Sequence, residues 1–584
     1  MRISRTVMLS TLVALATVVV ARPQGPDKIS PALRHAMVAG GASETVRAWV
    51  YFADKGGTTT AQTERALTAK ARERRERNGV VVDARDLPVA AAYVRGVALR
   101  GTRVRHLSRW LNAISIDAGP EALAEIETLS FVRRLDRVRA FREPLLPESM
   151  GKDAAAPPTA RPNTSAFALD YGPSLTQNAQ INVPALHDQG LSGAGVLIAS
   201  LDAGFNNMSH EALVDVDVLA TWDFVNGDPV VADELGQAGS GNHGTYTLSA
   251  LAGFEPGDLI GPAYGATFIL AKTENTDWER HVEEDDWIAG AEWADSIGAD
   301  IITSSLGYST GFTNGDADYS WTDMDGNTTI VAIGADIAAS RGILVVNSAS
   351  NSGFVSLPAN TLGSPADGDS VLAIGAVDAT GTRASFSSVG PSADGQIKPD
   401  VMAMGSGVIA ANPFGPSSYS AVSGTSLSCP LVAGVAALLL ELRPSATNIE
   451  LMDALRQTAS RASTPDREYG YGIVDALAAS NWILSGIGGT PRGGVILHPA
   501  QPNPFNPSTT IRYEIATASR VNLAVFDVRG ALVATLVDET EPAGVKSVVW
   551  NARSQNGDAL ASGVYLCRLI ANGEQQARKL VLLK

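Results

Sequence analysis

Between about Leu191 and Leu484, short apolar runs alternate with helical stretches, and nothing else in the chain restricts its fold as much. The predicted strands are Val196–Leu201, Thr267–Ala271, Asp300–Ser304, Gly342–Asn347 and Ser370–Val377. Helical patterns fall between and after them, over Asp286–Ile297, Ile330–Arg341, Ser426–Leu442 and Asn448–Ala459. A chain patterned this way buries its strands on both faces, which calls for an α/β fold with a parallel sheet flanked by helices. Such sheets carry their sites at the carboxyl ends of the strands. At 584 residues the chain exceeds one compact core, so two to four domains are expected.

The flanks read differently. Two arginines in the first five residues precede the uncharged run Thr6 to Ala21, the pattern of a secretory signal over 1–21 ending at Val19-Val-Ala21. No later stretch reads as a membrane span. Residues 22–165 form a small α/β unit and a linker. Its expected elements are a strand at Val46–Phe52, an exposed charged helix at Thr63–Asn78, a strand at Trp110–Ile116, a helix at Pro120–Leu129 and a strand at Phe131–Val138. The linker part, 145–165, is rich in Pro, Ala, Ser and Thr and open to proteolysis. The central domain is bounded at 166–485 and followed by a Gly-rich linker over 486–497. Residues 498–584 read as a C-terminal β-sandwich, with strands at Thr509–Ile515, Val521–Asp527, Leu532–Val537, Gly544–Trp550, Gly563–Ile570 and Gln575–Leu583.

Charge separates the first two units. Residues 166–485 carry 9 Lys and Arg against 38 Asp and Glu, whereas 1–165 carry 26 against 16. Opposite net charge favours docking of the two, and the acidic centre offers nothing to nucleic acid. The two cysteines, Cys429 and Cys567, fall in different predicted domains, so no disulfide framework is expected.

Three short blocks carry chemistry. A buried strand ends in Asp202-Ala-Gly, Gly241-Asn-His243-Gly-Thr precedes an apolar helical run, and Gly424-Thr-Ser426 opens the long helix that contains Pro430. A hydroxyl at a helix N-terminus sits where free N–H groups favour developing negative charge. It needs an adjacent base, and the base an orienting carboxylate, which is the set required for acyl transfer. The order Asp…His…Ser on an α/β chain is one of the known arrangements of that set.

In these blocks the chain resembles the subtilisin-like (S8) serine peptidases, over about residues 170–485. The resemblance implies a secreted endopeptidase that hydrolyses peptide bonds of proteins through an acyl-enzyme on Ser426, with Asp202 and His243 completing the triad. It also implies that Asn351, in Val345-Val-Asn-Ser-Ala-Ser-Asn351, donates to the oxyanion. Ser305, Leu306 and Gly307 are similar to the segment that pairs with extended substrate beside the pocket for the residue preceding the cleaved bond. Two positions depart from the family pattern: Ser350 stands where Gly is usual, and Leu431 where His is common. Both read as local packing variation. Residues 46–140 resemble the inhibitory propeptide of secreted subtilases, which makes the chain's own N-terminal unit its first partner. Residues 498–584, through Gln501-Pro-Asn-Pro-Phe-Asn-Pro and the ending Ala577-Arg-Lys-Leu-Val-Leu-Leu-Lys, resemble the Ig-like sorting domains of bacterial type IX secretion substrates. Hook-capping-like or plain adhesive β-domains are the alternative. Location outside the cell or on its surface, and the bacterial secretion machinery as a partner, follow from that likeness.

Blander readings fit other features. His187, His210 and His281 match no motif and read as ordinary core or surface histidines, and Cys429 as a small buried hydrophobe. Gly307-Tyr-Ser309-Thr-Gly311 matches an esterase elbow, but that fold needs its histidine after the serine, and the only one downstream, His498, lies in the C-terminal segment. The chemistry requires no cofactor. Related enzymes often use structural Ca²⁺, for which Glu283-Glu-Asp-Asp286 and Asp316, Asp318, Asp323 and Asp325 are the candidate clusters, although acidic runs are usually solvated surface. The rival to an enzyme is a catalytically silent surface protein that keeps a peptidase scaffold for binding or adhesion.

Overall fold

The computed structural model describes residues 27–142, 167–485 and 495–582, apart from short stretches within them, among these 40–44, 239–240, 276–280 and 310–318. The signal over 1–21, the segment 145–165 and the Gly-rich run 486–494 lie outside the described residues.

Seven parallel strands form the central sheet, in the order Val401–Met404, Val371–Val377, Leu344–Ser348, Ile301–Ser304, Leu197–Asp202, Thr267–Lys272 and Asp217–Asp223. The five predicted strands are the middle of this sheet. Both outermost strands escaped the pattern: Val401–Met404 has only four residues, and Asp217–Asp223 is half-exposed, with Asp217, Leu219 and Trp222 turned to solvent. The pleat divides the core in two. Ile198 joins the cluster on one face, while Leu197, Ala199 and Leu201 join the other.

One cluster surrounds the helices His243–Ala252 and Thr425–Leu442, and the other the helices Glu284–Ile297 and Ile330–Ser340. The Thr425–Leu442 helix is long and apolar enough by composition to cross a membrane, which the sequence reading did not expect of any later segment. Its burial explains the composition: residues from Thr425 through Leu440 are all inside the protein.

The N-terminal unit is a four-stranded antiparallel sheet ordered Arg103–Ser108, Ala113–Ala118, Val46–Phe52, Val132–Arg137. Its charged helix runs over Ala69–Arg77, shorter than the predicted Thr63–Asn78, and only one face is exposed: Arg72, Glu73 and Glu76 meet solvent while Ala71, Arg74 and Arg75 do not. Arg74 and Arg75 are buried against the central domain. Beyond this sheet, Ala140–Arg142 pairs antiparallel with His281–Glu283, which in turn pairs with Glu274–Asn275. The C-terminal region packs a three-stranded sheet (Val495–Leu497, Thr509–Ile515, Gly544–Trp550) on a four-stranded one (Leu532–Glu541, Ser519–Asp527, Gly563–Ala571, Glu574–Leu582) around one core. Val495–Leu497, read from the sequence as linker, is thus a strand of this sandwich.

Candidate active site

Asp202 is the last residue of its strand and is 1% exposed. Its Oδ1 accepts the Ala203 N–H at 2.7 Å and lies 2.6 Å from His243 Nδ1, while Oδ2 accepts the Thr247 hydroxyl at 2.8 Å. His243 opens the His243–Ala252 helix, and Thr247 stands one turn later on the same face, so a single helix supplies both partners. Close backbone packing makes this possible. A Cβ on Gly204 would stand 2.6 Å from the Gly241 carbonyl, and one on Gly241 2.7 Å from that of Ala203. Thr247 was not singled out from the sequence; its i+4 spacing from His243 was the available signal.

Ser426 is the second residue of the Thr425–Leu442 helix and is 7% exposed. Its hydroxyl lies 3.4 Å from the Ser305 carbonyl. Pro430 has no N–H to return to the Ser426 carbonyl one turn back, and the Ser305 hydroxyl donates to that carbonyl instead, at 2.9 Å. Asn351 Oδ1 accepts both the N–H and the hydroxyl of Thr425, at 2.9 and 3.0 Å. That fixes the acceptor end of the side chain and turns its NH₂ toward the helix start, where a Cβ on Gly424 would be 3.6 Å from Nδ2. Of the Ser305–Gly307 segment, the Leu306 carbonyl accepts from Asn347 at 2.9 Å, and Tyr308 exchanges two main-chain bonds with Ser364.

Three of the blander readings hold. His187 is buried between the Tyr171 hydroxyl and the Pro262 carbonyl, and His210 bonds the Ser418 carbonyl. The His281 side chain and the residues after Ser309, through 318, lie outside what the structure describes. Cys429 is wholly buried, and burial raises its thiol to about 12, so it is no nucleophile at neutral pH. Cys567 is likewise free and buried.

The acidic run around Asp286 is neither solvated surface nor a set of open ligands. Arg105 bonds Asp285 Oδ2 at 3.1 Å and Asp286 Oδ1 at 3.0 Å, and His106 Nε2 lies 2.5 Å from Asp286 Oδ1. Glu284 takes the Tyr319 hydroxyl. Cations of the N-terminal unit thus already hold one oxygen each of Asp285 and Asp286, and with Arg105 in place the pair is charge-compensated without a calcium ion. In the second cluster Asp323 and Asp325 bond the main chain of their own turns, and Asp316 and Asp318 lie outside the described residues. Nearby, Asp295 holds Arg74, Arg75 and Arg109 together, and Arg77 bonds Asp300. Burial alone would raise the Asp295 pKa, but the three guanidiniums outweigh it and hold the carboxyl below its usual range.

A hydroxyl at a buried helix start, an imidazole bonded to a carboxylate at a strand end and an amide turned to the same helix start define a class: serine hydrolases on a parallel α/β sheet. Residues 193–472 match the subtilase family, 47–152 the peptidase S8 propeptide domain of Bacteroidota, and 507–574 the FlgD Ig-like domain. Subtilisin NAT of Bacillus subtilis subsp. natto and subtilisin E of Bacillus subtilis strain 168 are each 34% identical over 317 residues, 54% of this chain and 73% of the relative. Subtilisin of Bacillus pumilus is 34% identical over 317 residues, 54% of this chain and 100% of the relative. The chain belongs to the subtilase family. It is a subtilisin-like serine endopeptidase preceded by its propeptide domain and followed by an Ig-like domain.

Proposed function

We propose that Ser426 is the nucleophile of this peptidase, His243 its general base and then acid, Asp202 the group that orients His243, and Asn351 a donor to the oxyanion. The observation that carries this reading is the 2.6 Å contact between Asp202 Oδ1 and His243 Nδ1. A carboxylate on Nδ1 fixes the tautomer that leaves Nε2 as the base. The Ser426 proton passes to His243 as Oγ attacks the scissile carbonyl. His243 then returns a proton to the leaving amine, and water repeats the sequence to free the acid. The tetrahedral oxyanion falls to the Asn351 NH₂ and the Ser426 N–H at the helix start. Ser305, Leu306 and Gly307 bind extended substrate through their main chain.

The protein is made as a four-part secreted precursor: signal 1–21, propeptide and linker 22–165, peptidase 166–485 and, after a linker ending at 497, the C-terminal sandwich. Ala140–Arg142, paired with His281–Glu283, lays the end of the propeptide domain along the peptidase as an inhibitory strand. Release from the cell and attachment at its surface run through the type IX secretion machinery, which reads the C-terminal domain; its ending Ala577-Arg-Lys-Leu-Val-Leu-Leu-Lys supports this. Structural Ca²⁺ rests on kinship alone.

Casein hydrolysis by the matured protein tests the reading. Loss of cleavage with a serine-directed phosphonate and with Ser426→Ala is expected. A Ser426→Ala protein that still cleaves would overturn the nucleophile, and a matured wild type that cleaves nothing would favour a binding scaffold.

A further inference from the structure

Ser350 has φ of +85°, a conformation that side chains other than glycine rarely adopt, and it sits immediately before Asn351. Strain of this kind persists where the surroundings impose it, and it clusters at sites that bind or react.

Its surroundings are specific. Ser426 Oγ lies against the Ser305 carbonyl, and Asn351 is bonded to Thr425, the neighbour of Ser426. A carbonyl carbon attacked by Ser426 is therefore bracketed by Ser305 on one side and Asn351 on the other. The side chain carried by that acyl residue must enter between the segments that continue from these two, Leu306–Gly307 and Ser350. A third segment closes the far end. Gly363 precedes Ser364, whose N–H and carbonyl pair with Tyr308 at 3.0 and 2.8 Å. A Cβ on Gly307 would stand 3.6 Å from Gly363 Cα, so the two glycine segments lie in direct backbone contact. The Ser350 hydroxyl is inserted at that junction: a Cβ on either Gly307 or Gly363 would collide with Ser350 Oγ. Glycine at all three positions would leave a slot, and here a hydroxymethyl group stands in it.

We propose that Ser350 sets the side-chain preference of the enzyme by shortening this pocket. The residue that supplies the attacked carbonyl is then small, in the class of Gly, Ala and Ser, and aromatic or long aliphatic side chains are excluded by the Ser350 side chain. The inference rests on Ser426 being the nucleophile and goes beyond it to the substrate class. Sequence reading treated Ser350 as packing variation; its left-handed backbone and its two glycine neighbours give it a position beside the reacting bond.

The test is kcat/KM of the matured full-length enzyme on peptides that differ only in the residue before the cleaved bond: Ala, Leu or Phe. Wild type should favour Ala over Phe by at least tenfold. Ser350→Gly, which also suits the positive φ and so should fold, should raise the Phe-to-Ala ratio at least tenfold. Ser350→Ala, which keeps the Cβ in the slot, should shift it less. Cleavage of all three peptides with equal efficiency by wild type, or a ratio that Ser350→Gly leaves unchanged, would overturn the pocket assignment while leaving the nucleophile intact. Failure to cleave any peptide would overturn both.

Discussion

Asp295 of the peptidase domain accepts Arg109 of the propeptide domain at 2.6 Å, so the two units meet through a partly buried ion pair as well as through the apolar contact of Trp110. Arg74 and Arg75 share the same carboxylate, and Arg341 reaches back from the peptidase to Asp83 and Asp86 at 2.8 and 2.9 Å. Part of the charge asymmetry between the two units is compensated here, in a network buried at their contact.

Removing Asp295 should loosen this contact severely. Asp295→Ala strands Arg74, which is itself 0% exposed, and losing one partner of a buried pair costs about 3–5 kcal/mol. In a Ser426→Ala background, which keeps the chain uncut, urea should release and unfold the propeptide domain at a distinctly lower concentration. An unchanged midpoint would mean that apolar packing alone holds the two units.

Docking should also depend on pH from both sides. Burial lowers the His106 pKa, but the bond to Asp286, with the nearby Asp285 charge, more than compensates against the opposing Arg105, leaving it above 6.5. A raised pKa means that the His106 contribution is complete below 6.5 and fades as pH rises through the shifted value. Asp295 and Asp285 are held below 3.8, the latter mainly by Arg105 against its burial, so their contributions are complete above 3.8 and fade as pH falls through the lowered values. Docking should therefore be tightest between about 4 and 6.5. Denaturation of the Ser426→Ala chain across pH should show this window, and His106→Gln should flatten its alkaline side; a profile that His106→Gln leaves unaltered would remove His106 from the linkage.

Asn351→Ala should lower kcat with little effect on KM, because the amide is asked to bind an oxyanion that exists only after attack. The known cost of removing such a donor in subtilisin itself is about a hundred- to a thousandfold in kcat. Part of any further loss would come from Thr425, whose N–H and hydroxyl both lose their acceptor. A rise in KM at constant kcat would instead make Asn351 a ground-state binding residue.

Neither thiol should react in the folded protein. Burial pushes both Cys429 and Cys567 up to about 12, far from the thiolate form at neutral pH. Iodoacetamide should label both only after denaturation, as mass spectrometry would show. Labelling of native Cys429 would place it on an open path to the active site.

The sequence was most informative where residue type and period alone decide the outcome. Leu197–Asp202 and Leu344–Ser348 are short, apolar and surrounded by turn residues, so they read as buried parallel strands with their ends at the site. The blocks around Asp202, His243 and Ser426 were legible because they hold the residue types that acyl transfer needs, in a chain order that resembles one known arrangement of them. Asp217–Asp223 was not legible, since an edge strand with one face in solvent has no continuous apolar run to reveal it.

What tertiary structure alone decided are the meetings between distant segments. Ala69–Arg77 carries the composition of a solvated helix, and only the placement of Asp295 across the interface makes Arg74 a buried residue. Asp285 and Asp286 have the composition of a cation site, yet Arg105 and His106, about 180 residues earlier, hold them. Ser350 is a one-residue departure in the sequence, and its meaning depends on Gly307 and Gly363 approaching from two other segments. Local pattern fixes how a segment buries its own apolar face, whereas these three outcomes depend on which partner the fold brings up to a side chain, and no period in the sequence records that.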